Sequence, residues 1–318
     1  MENEKNRYEA AALHLVEELT ATKVETVKIL YGGVMTITVE VSSILGETYI
    51  VRFYPENRVK ISKFEPHLVR SVFEAGGKVA MVISDSSEGP SSILSYMVYK
   101  KLEGITLKER YDRFGNKLAS NFFYDLINTL IIIKDLKTKP SIMPPNKISN
   151  TSKCWSNIFT EQLLFETNHA KLPSNCAYTI KKRIMSITDK LSPHYFATER
   201  VMNWGDINFE NIIVNYEGEL VGLIDFEGAC YADFLITLGF THCFYSDHLF
   251  LGGLTKYWPD VLDNTCWIRI YSYSLYRFLR LSRHIGLPTS SILKKPVLPI
   301  DKCIGLYPAI EELEYLLS

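Results

Sequence analysis

Residues 203–226 read N-W-G-D-I-N-F-E-N-I-I-V-N-Y-E-G-E-L-V-G-L-I-D-F. Asp206 opens the stretch and Asn211 follows five positions later. A β-rich run over 212–215 then meets a turn at Tyr216-Glu217-Gly218-Glu219, and a second run over 220–224 delivers Asp225 directly before Phe226. Two apolar runs flanking a Glu-Gly turn predict a hairpin. Pairing across that turn brings Asn211, at the start of one strand, near Asp225, at the end of the other, with Asp206 on the loop leading in. Two carboxylates and a carboxamide at one end of a hairpin suit phosphoryl transfer. That chemistry needs an Asp to position and deprotonate a hydroxyl, and hard oxygen ligands for Mg²⁺. Asp and Asn are also common loop-end residues, so the spacing alone would be weak. The spacing, the strand context and the following E-G-A carry the reading together.

The D-x4-N followed by a later D-F is the catalytic-loop and metal-loop pattern of the protein-kinase fold. In the form G-D-I-N-F-E-N-I-I-V with V-G-L-I-D-F-E-G-A, it resembles the aminoglycoside phosphotransferase and choline kinase-like superfamily. The resemblance implies a bilobal α+β fold, with a small antiparallel β-sheet lobe and a larger, mostly helical lobe. It also implies that Asp206 is catalytic, that Asn211 is a metal ligand and that Asp225 is the principal Mg²⁺ ligand. The family carries His two residues before the catalytic Asp, where this chain has Trp204. That change touches the bracing of the loop more than its chemistry.

The 318 residues suffice for two lobes with sizeable cores, and the net charge of −1 gives no sign of a nucleic-acid binder. The charged start M-E-N-E-K-N-R lacks the apolar core of a signal peptide, and the apolar runs are too short to span a membrane. Six scattered cysteines without a C-x-x-C predict free thiols in a reducing cytoplasm.

Along the chain, 8–19 has the period of an amphipathic helix. Strands are predicted over 24–30, 35–42, 48–54, 79–83 and 93–99. Gly32 and Gly33 lie between the first two. In a kinase-like fold, such a glycine pair covers the nucleotide phosphates with backbone N–H groups; a plain hairpin turn would look the same. The fold also places a cation on the third strand to grip the α and β phosphates. Lys is usual there, and Arg52 in Y-I-V-R-F-Y takes the place. Its expected partner is Glu65, on a helix over 61–74 in which Pro66 is admissible only in the first turn. Glu74, near the Gly76-Gly77 stop, is the competing acid. The stretch from Lys100 through Leu102 to Gly104 resembles the interlobe hinge, whose main chain would hold the base of ATP or GTP. The lobes are therefore expected as 1–103, binding nucleotide, and 104–318, carrying the hairpin and the substrate site.

Beyond the hinge, helices are predicted over 107–136 with a break near Gly115, then over 154–170, 176–191, 233–250, 267–285 and 308–317, with a polar loop over 137–152. Tyr271, Tyr273, Tyr276 and Phe278 have the spacing of helix core rather than of a substrate pocket. His242, Asp247 and His248 fit no standard metal spacing. Asp233 resembles a structural Asp that braces the next helix. The expected activity is transfer of the γ-phosphoryl of ATP or GTP, with Mg²⁺, to a hydroxyl of an aminoglycoside-like antibiotic or related cationic molecule. The alternatives are a metabolic kinase for a choline-, homoserine- or sugar-like substrate, or a nucleotide-binding pseudokinase regulator. The expected partners are a nucleoside triphosphate and a small hydroxylated substrate, with neither nucleic acid nor membrane, and the sequence carries no sign of an oligomeric state.

Overall fold

The computed structural model describes residues 2–30, 36–90, 94–136, 154–172, 177–195, 198–245, 249–283 and 306–318. Helix α1 (Glu2–Thr20) leads into an antiparallel sheet of β1 (Val24–Leu30), β2 (Ile37–Ser43), β3 (Thr48–Tyr54), β4 (Val82–Asp85) and β5 (Ser95–Lys100), ordered β1-β2-β3-β5-β4. Side-chain alternation divides this sheet into two faces. Val39, Val41, Tyr49, Val51, Phe53, Tyr96 and Val98 pack with Ala12, Leu15 and Val16 of α1. Ile50, Tyr54, Met97 and Tyr99 form a second cluster with Ile61 and Ala80. Arg52 lies between Ile50 and Tyr54 in the strand, so it belongs to this second face.

Helix α2 (Val59–Glu74) begins two residues earlier than the sequence suggests, which puts Pro66 well inside it. This corrects the expectation that Pro66 must lie in the first turn. An interior proline costs about 3 kcal/mol. Here Ile61, Phe64, Leu68, Val69 and Val72 are buried on both sides of it, and Pro66 is buried as well; the apolar face outweighs one missing backbone bond. The fourth strand is also displaced, to Val82–Asp85. Val79 instead forms an isolated parallel bridge to Leu223, and the Leu223 N–H donates to the Lys78 carbonyl at 2.9 Å.

After β6 (Ile105–Thr106) the chain is mostly helical: α3 (Leu107–Phe114), α4 (Phe122–Asp135), α5 (Trp155–His169) and α6 (Ala177–Leu191). The break between α3 and α4 falls where expected. Gly115, at φ +71°, closes α3 with its N–H on the Tyr111 carbonyl. Then come β7 (Val201–Asn203), the hairpin β8 (Ile212–Val214) and β9 (Leu220–Leu223), and β10 (Cys230–Ala232). Helices α7 (Ile236–Tyr245), α8 (Leu249–Lys256), α9 (Asn264–Ser282) and α10 (Leu306–Leu316) complete the described chain. The helix expected over 233–250 is two helices, α7 and α8, and the preceding strand β10 is not legible in the sequence because three residues are too few to show a period. Strand β6 extends the hairpin through β8, and β10 pairs with β7. One large core runs through the helices and includes Tyr273, Tyr276 and Phe278. No described helix is long and apolar enough to cross a membrane.

Candidate active site

The hairpin register sets the first relationship. Ile212 faces Leu223 and Ile213 faces Gly222, and one step further the Ile224 N–H donates to the Asn211 carbonyl at 3.0 Å. Asn211 therefore lies beside the residue preceding Asp225. At the far end Gly218, at φ +86°, turns the chain, and the Asn215 side chain accepts from the Glu219 N–H.

The loops carrying Asp206 and Asp225 are in direct contact. Gly205 has φ +80°, and a Cβ there would stand 2.0 Å from the Gly228 carbonyl oxygen, so only glycine allows the approach. Strands β7 and β10 bring the same two loops together through the Cys230–Asn203 pair. Trp204, buried against Phe226, donates its indole N–H to the carbonyls of Ile224 and Asp225 at 3.2 and 3.1 Å. Asp225 has φ +62°, a left-handed conformation that Asp tolerates better than most residues.

Asp206 is held from two directions. Its Oδ1 accepts from Nη2 of Arg277, on α9, at 2.5 Å, and its Oδ2 accepts from Nδ2 of Asn211 at 3.2 Å. The Arg277 guanidinium lies over Phe240 and Phe244 of α7, at 4.9 and 5.8 Å from the ring centres. Burial pushes the Asp206 carboxyl up from its ordinary value; Arg277 opposes this and Asp225 adds to it. The loop is further braced by Tyr245, whose hydroxyl accepts from the Phe209 N–H at 3.2 Å and whose ring stacks on Phe209.

Arg52 is the centre of a second cluster. Nη1 donates to Oε1 of Glu65 at 3.1 Å, and Nη2 donates to Oδ1 of Asp225 at 2.8 Å and lies 3.1 Å from Oε2 of Glu227. Glu65, fully buried, also accepts from the Tyr54 hydroxyl at 2.7 Å and the Phe226 N–H at 2.9 Å. One carboxylate thus joins β3, α2 and the Asp225 loop. Burial works against the Arg52 charge, but Asp225 and Glu65 outweigh it and hold the guanidinium well above its ordinary value. Burial pushes Glu65 up, with Arg52 opposing. Glu227 is pushed up to about 7 by burial, then by the neighbouring Asp225, with Arg52 pulling it back.

The structure therefore brings Asp206 and Asn211 into contact, and separately Arg52, Glu65 and Asp225. Lys100 ends β5 with its N–H on the Met81 carbonyl and its ammonium on Glu47 at 3.0 Å. Leu102 is half-buried at the margin of the Ile50–Tyr99 cluster. Gly32 and Gly33 lie outside the described residues, as do Asp247 and His248. His242 is buried and hydrogen-bonded to the Ser274 hydroxyl, and Glu74 is exposed. Asp233 accepts from Arg269, Tyr273 and the Leu235 N–H, the bracing expected of it. Sequence reasoning missed Arg277, which follows Asp206 by 71 residues and sits on a helix that otherwise reads as core. It also missed the pairing of Glu227 with Arg52, although D-F-E places that acid two residues from Asp225.

The sequence matches the phosphotransferase enzyme family over residues 38–257. No curated protein matches it. Solved structures share the fold over nearly the whole chain. The aminoglycoside 2′-phosphotransferase-IIIa, in complex with GDP, is 15% identical with a TM-score of 0.66, over 97% of this chain and 98% of that one. A spectinomycin phosphotransferase, in complex with ADP and spectinomycin, is 11% identical with a TM-score of 0.63, over 96% and 98%. A Haemophilus somnus protein described as a fructosamine-3-kinase is 14% identical with a TM-score of 0.62, over 96% and 97%. At these identities the likeness is one of fold.

Proposed function

Because the chain belongs to the phosphotransferase enzyme family, we propose that it transfers the γ-phosphoryl of ATP or GTP to a hydroxyl of a small molecule. The observation that carries this reading is the pair of clusters just described: Asp206 held by Asn211 and Arg277, and Asp225 held by Arg52. Asp206 is the group that orients the acceptor hydroxyl and takes its proton. Arg52 grips phosphate oxygens with Glu65 aiming it. The base rests against the cluster of Ile50, Met97 and Tyr99 near Leu102, contacted by the 100–102 main chain. Phosphate cover by Gly32 and Gly33 completes the nucleotide side, within lobes divided as 1–103 and 104–318.

Asn211 and Asp225 fit Mg²⁺. The Asn211 amide nitrogen is engaged by Asp206, which leaves its oxygen as a donor to metal, and Asp225 spends only Oδ1 on Arg52. No group of three His, Cys, Asp or Glu that could hold a metal unaided occurs among the described residues. Mg²⁺ asks for one or two such ligands beside phosphate oxygens. When bound, it would neutralise charge on the transferring phosphoryl group. The four described cysteines, Cys154, Cys230, Cys243 and Cys266, are free thiols.

For the acceptor, an aminoglycoside-like or related cationic molecule is the first reading, supported by the spectinomycin phosphotransferase of like fold. One arrangement of charges favours a second, a metabolite without net positive charge, such as a sugar-like or a zwitterionic homoserine-like molecule, among the choline-, homoserine- and sugar-like alternatives. Arg277 puts a positive charge on Asp206, and Glu227 is committed to Arg52 rather than to a cationic substrate. Release of ADP or GDP across a panel of hydroxylated molecules tests the activity, and no release with any of them refutes it. A KM that rises with salt selects the polycation, and a KM indifferent to ionic strength selects the metabolite.

A further inference from the structure

We infer that Arg277 is the residue that positions the Asp206 carboxylate for phosphoryl transfer, acting through Asp206 rather than on substrate. The inference rests on the kinase reading. A carboxylate on a short side chain can turn about its last bond, and a general base must present one lone pair to the acceptor hydroxyl. Here both oxygens are fixed by donors from different elements: Oδ2 by Asn211 within the loop, and Oδ1 by Arg277 reaching across from α9. Without Arg277, the one side-chain hydrogen bond left is that from a neutral amide, with Arg280 still attracting the carboxylate and Asp225 repelling it.

Arg277 is itself rigidly placed. Its guanidinium is layered over Phe240 and Phe244 of α7. Helices α7 and α9 meet closely at Gly239, where a Cβ would stand 2.4 Å from Cβ of Tyr273. The two neighbouring ion pairs made by Arg269 of α9 and by Arg283 at its end, Arg269–Asp233 and Arg283–Glu166, each use a carboxylate that is about 5% exposed. In the Arg277–Asp206 pair the carboxylate is 27% exposed and the guanidinium 15%, so this bridge reaches an open loop rather than the core. Asp206 is the one carboxylate with which Arg277 forms an ion pair among the described residues.

The test uses the full chain with Arg277→Met, which keeps an apolar stem on the rings, and Arg277→Lys. Arg277→Met should lower kcat by on the order of 10–10², the size expected when a reacting group is misplaced by about an ångström. The dissociation constant for Mg-nucleotide should stay within about twofold, since Arg277 touches no part of the phosphate cluster. Guanidinium ion at non-denaturing concentration should restore part of the loss where ammonium does not, and Arg277→Lys should remain partly defective. Combined with Asp206→Asn, Arg277→Met should cost almost nothing further, because a positioning residue has no effect without the group it positions. Full kcat in Arg277→Met, or losses that multiply independently in the double variant, overturns this inference alone. A wild-type chain that releases no nucleoside diphosphate with any acceptor overturns the kinase reading and this inference with it.

Discussion

The indole N–H of Trp204 donates to the carbonyl of Asp225 at 3.1 Å and to that of Ile224 at 3.2 Å. The loop before Asp206 is thereby tied to the loop that presents Asp225, at the point where the backbone adopts φ +62°. A residue in that conformation costs on the order of 1–3 kcal/mol and persists only where its surroundings hold it. From the sequence, Trp204 reads as the loss of a histidine brace. In the structure a different ring performs a bracing role, with one donor shared between two carbonyls and the tilted Phe226 ring beside it.

Trp204→Phe should therefore separate packing from bracing. An aromatic ring is kept and the donor is lost, which leaves half-buried carbonyls short of a partner at a cost of up to about 1–3 kcal/mol. Urea unfolding should report that loss. Activity should fall further than the population of folded chain accounts for, because the Asp225 backbone loses one of its holds, with the Arg52 contact to its side chain remaining. A variant with unchanged midpoint and unchanged turnover would remove Trp204 from this role.

Asp206→Asn should lower turnover on the order of 10²–10⁴ while Mg-nucleotide affinity stays close to wild type. The carboxamide oxygen of this variant can still accept from Arg277, so the fold should survive the change, although the ion pair is lost. Turnover near wild type would take Asp206 out of the mechanism.

Much of this is legible in the chain because the hairpin signal is local. Two apolar runs around Gly218 fix the register, and the register carries Asn211 to Ile224, the residue before Asp225. Strands β1 and β3 are likewise readable as short β-rich runs bounded by turn residues, and Arg52 from its position on the third. Contacts between distant segments are not readable in this way. Arg277 looks like one more residue of an aromatic helix, and its significance depends on how α9 lies against α7. Pro66 misleads for a related reason: local preference forbids it in a helix interior, while the buried neighbours that permit it are tertiary. The three-residue strands β7 and β10 exist only because Asn203 meets Cys230, and so short a segment has no period to detect.

Glu227 gives a pH dependence with a definite sign. Burial and Asp225 raise its carboxyl from its ordinary 4.5 to about 7 in the folded chain. Between those values the folded state binds more proton than the unfolded state, so stability falls as pH rises through that window. Glu227→Gln removes the titration. The metal-free variant should match wild type near pH 4.5 and become the more stable protein above pH 7. Urea midpoints of the two proteins across that range check this, since the other buried carboxyls are common to both. A wild type that gains stability relative to the variant on going alkaline would reverse the sign and refute the account.

The last prediction concerns Arg52 and Glu65. Arg52 lies among three carboxylates and is almost wholly buried, so its charge is held by geometry as well as by attraction. A lysine there would keep a point charge but could not place one nitrogen on Glu65 and another on Asp225. Arg52→Lys should therefore weaken Mg-nucleotide binding and slow transfer without abolishing either. Glu65 binds more than Arg52, since it also receives the Tyr54 hydroxyl and the Phe226 N–H. Glu65→Gln retains an oxygen for Arg52 and Phe226 and should be mild. Glu65→Ala strips all three donors of their acceptor in the interior and should cost about 3–5 kcal/mol of stability, as breaking a buried pair does. A cycle combining Arg52→Lys with Glu65→Gln should show coupling on the order of 0.5–3 kcal/mol in nucleotide binding, because the two side chains share a hydrogen bond and a common neighbour in Asp225. Additive effects would mean that Glu65 does not aim Arg52, and the carboxylates of Asp225 and Glu227 would then be the groups that set the guanidinium toward the phosphates.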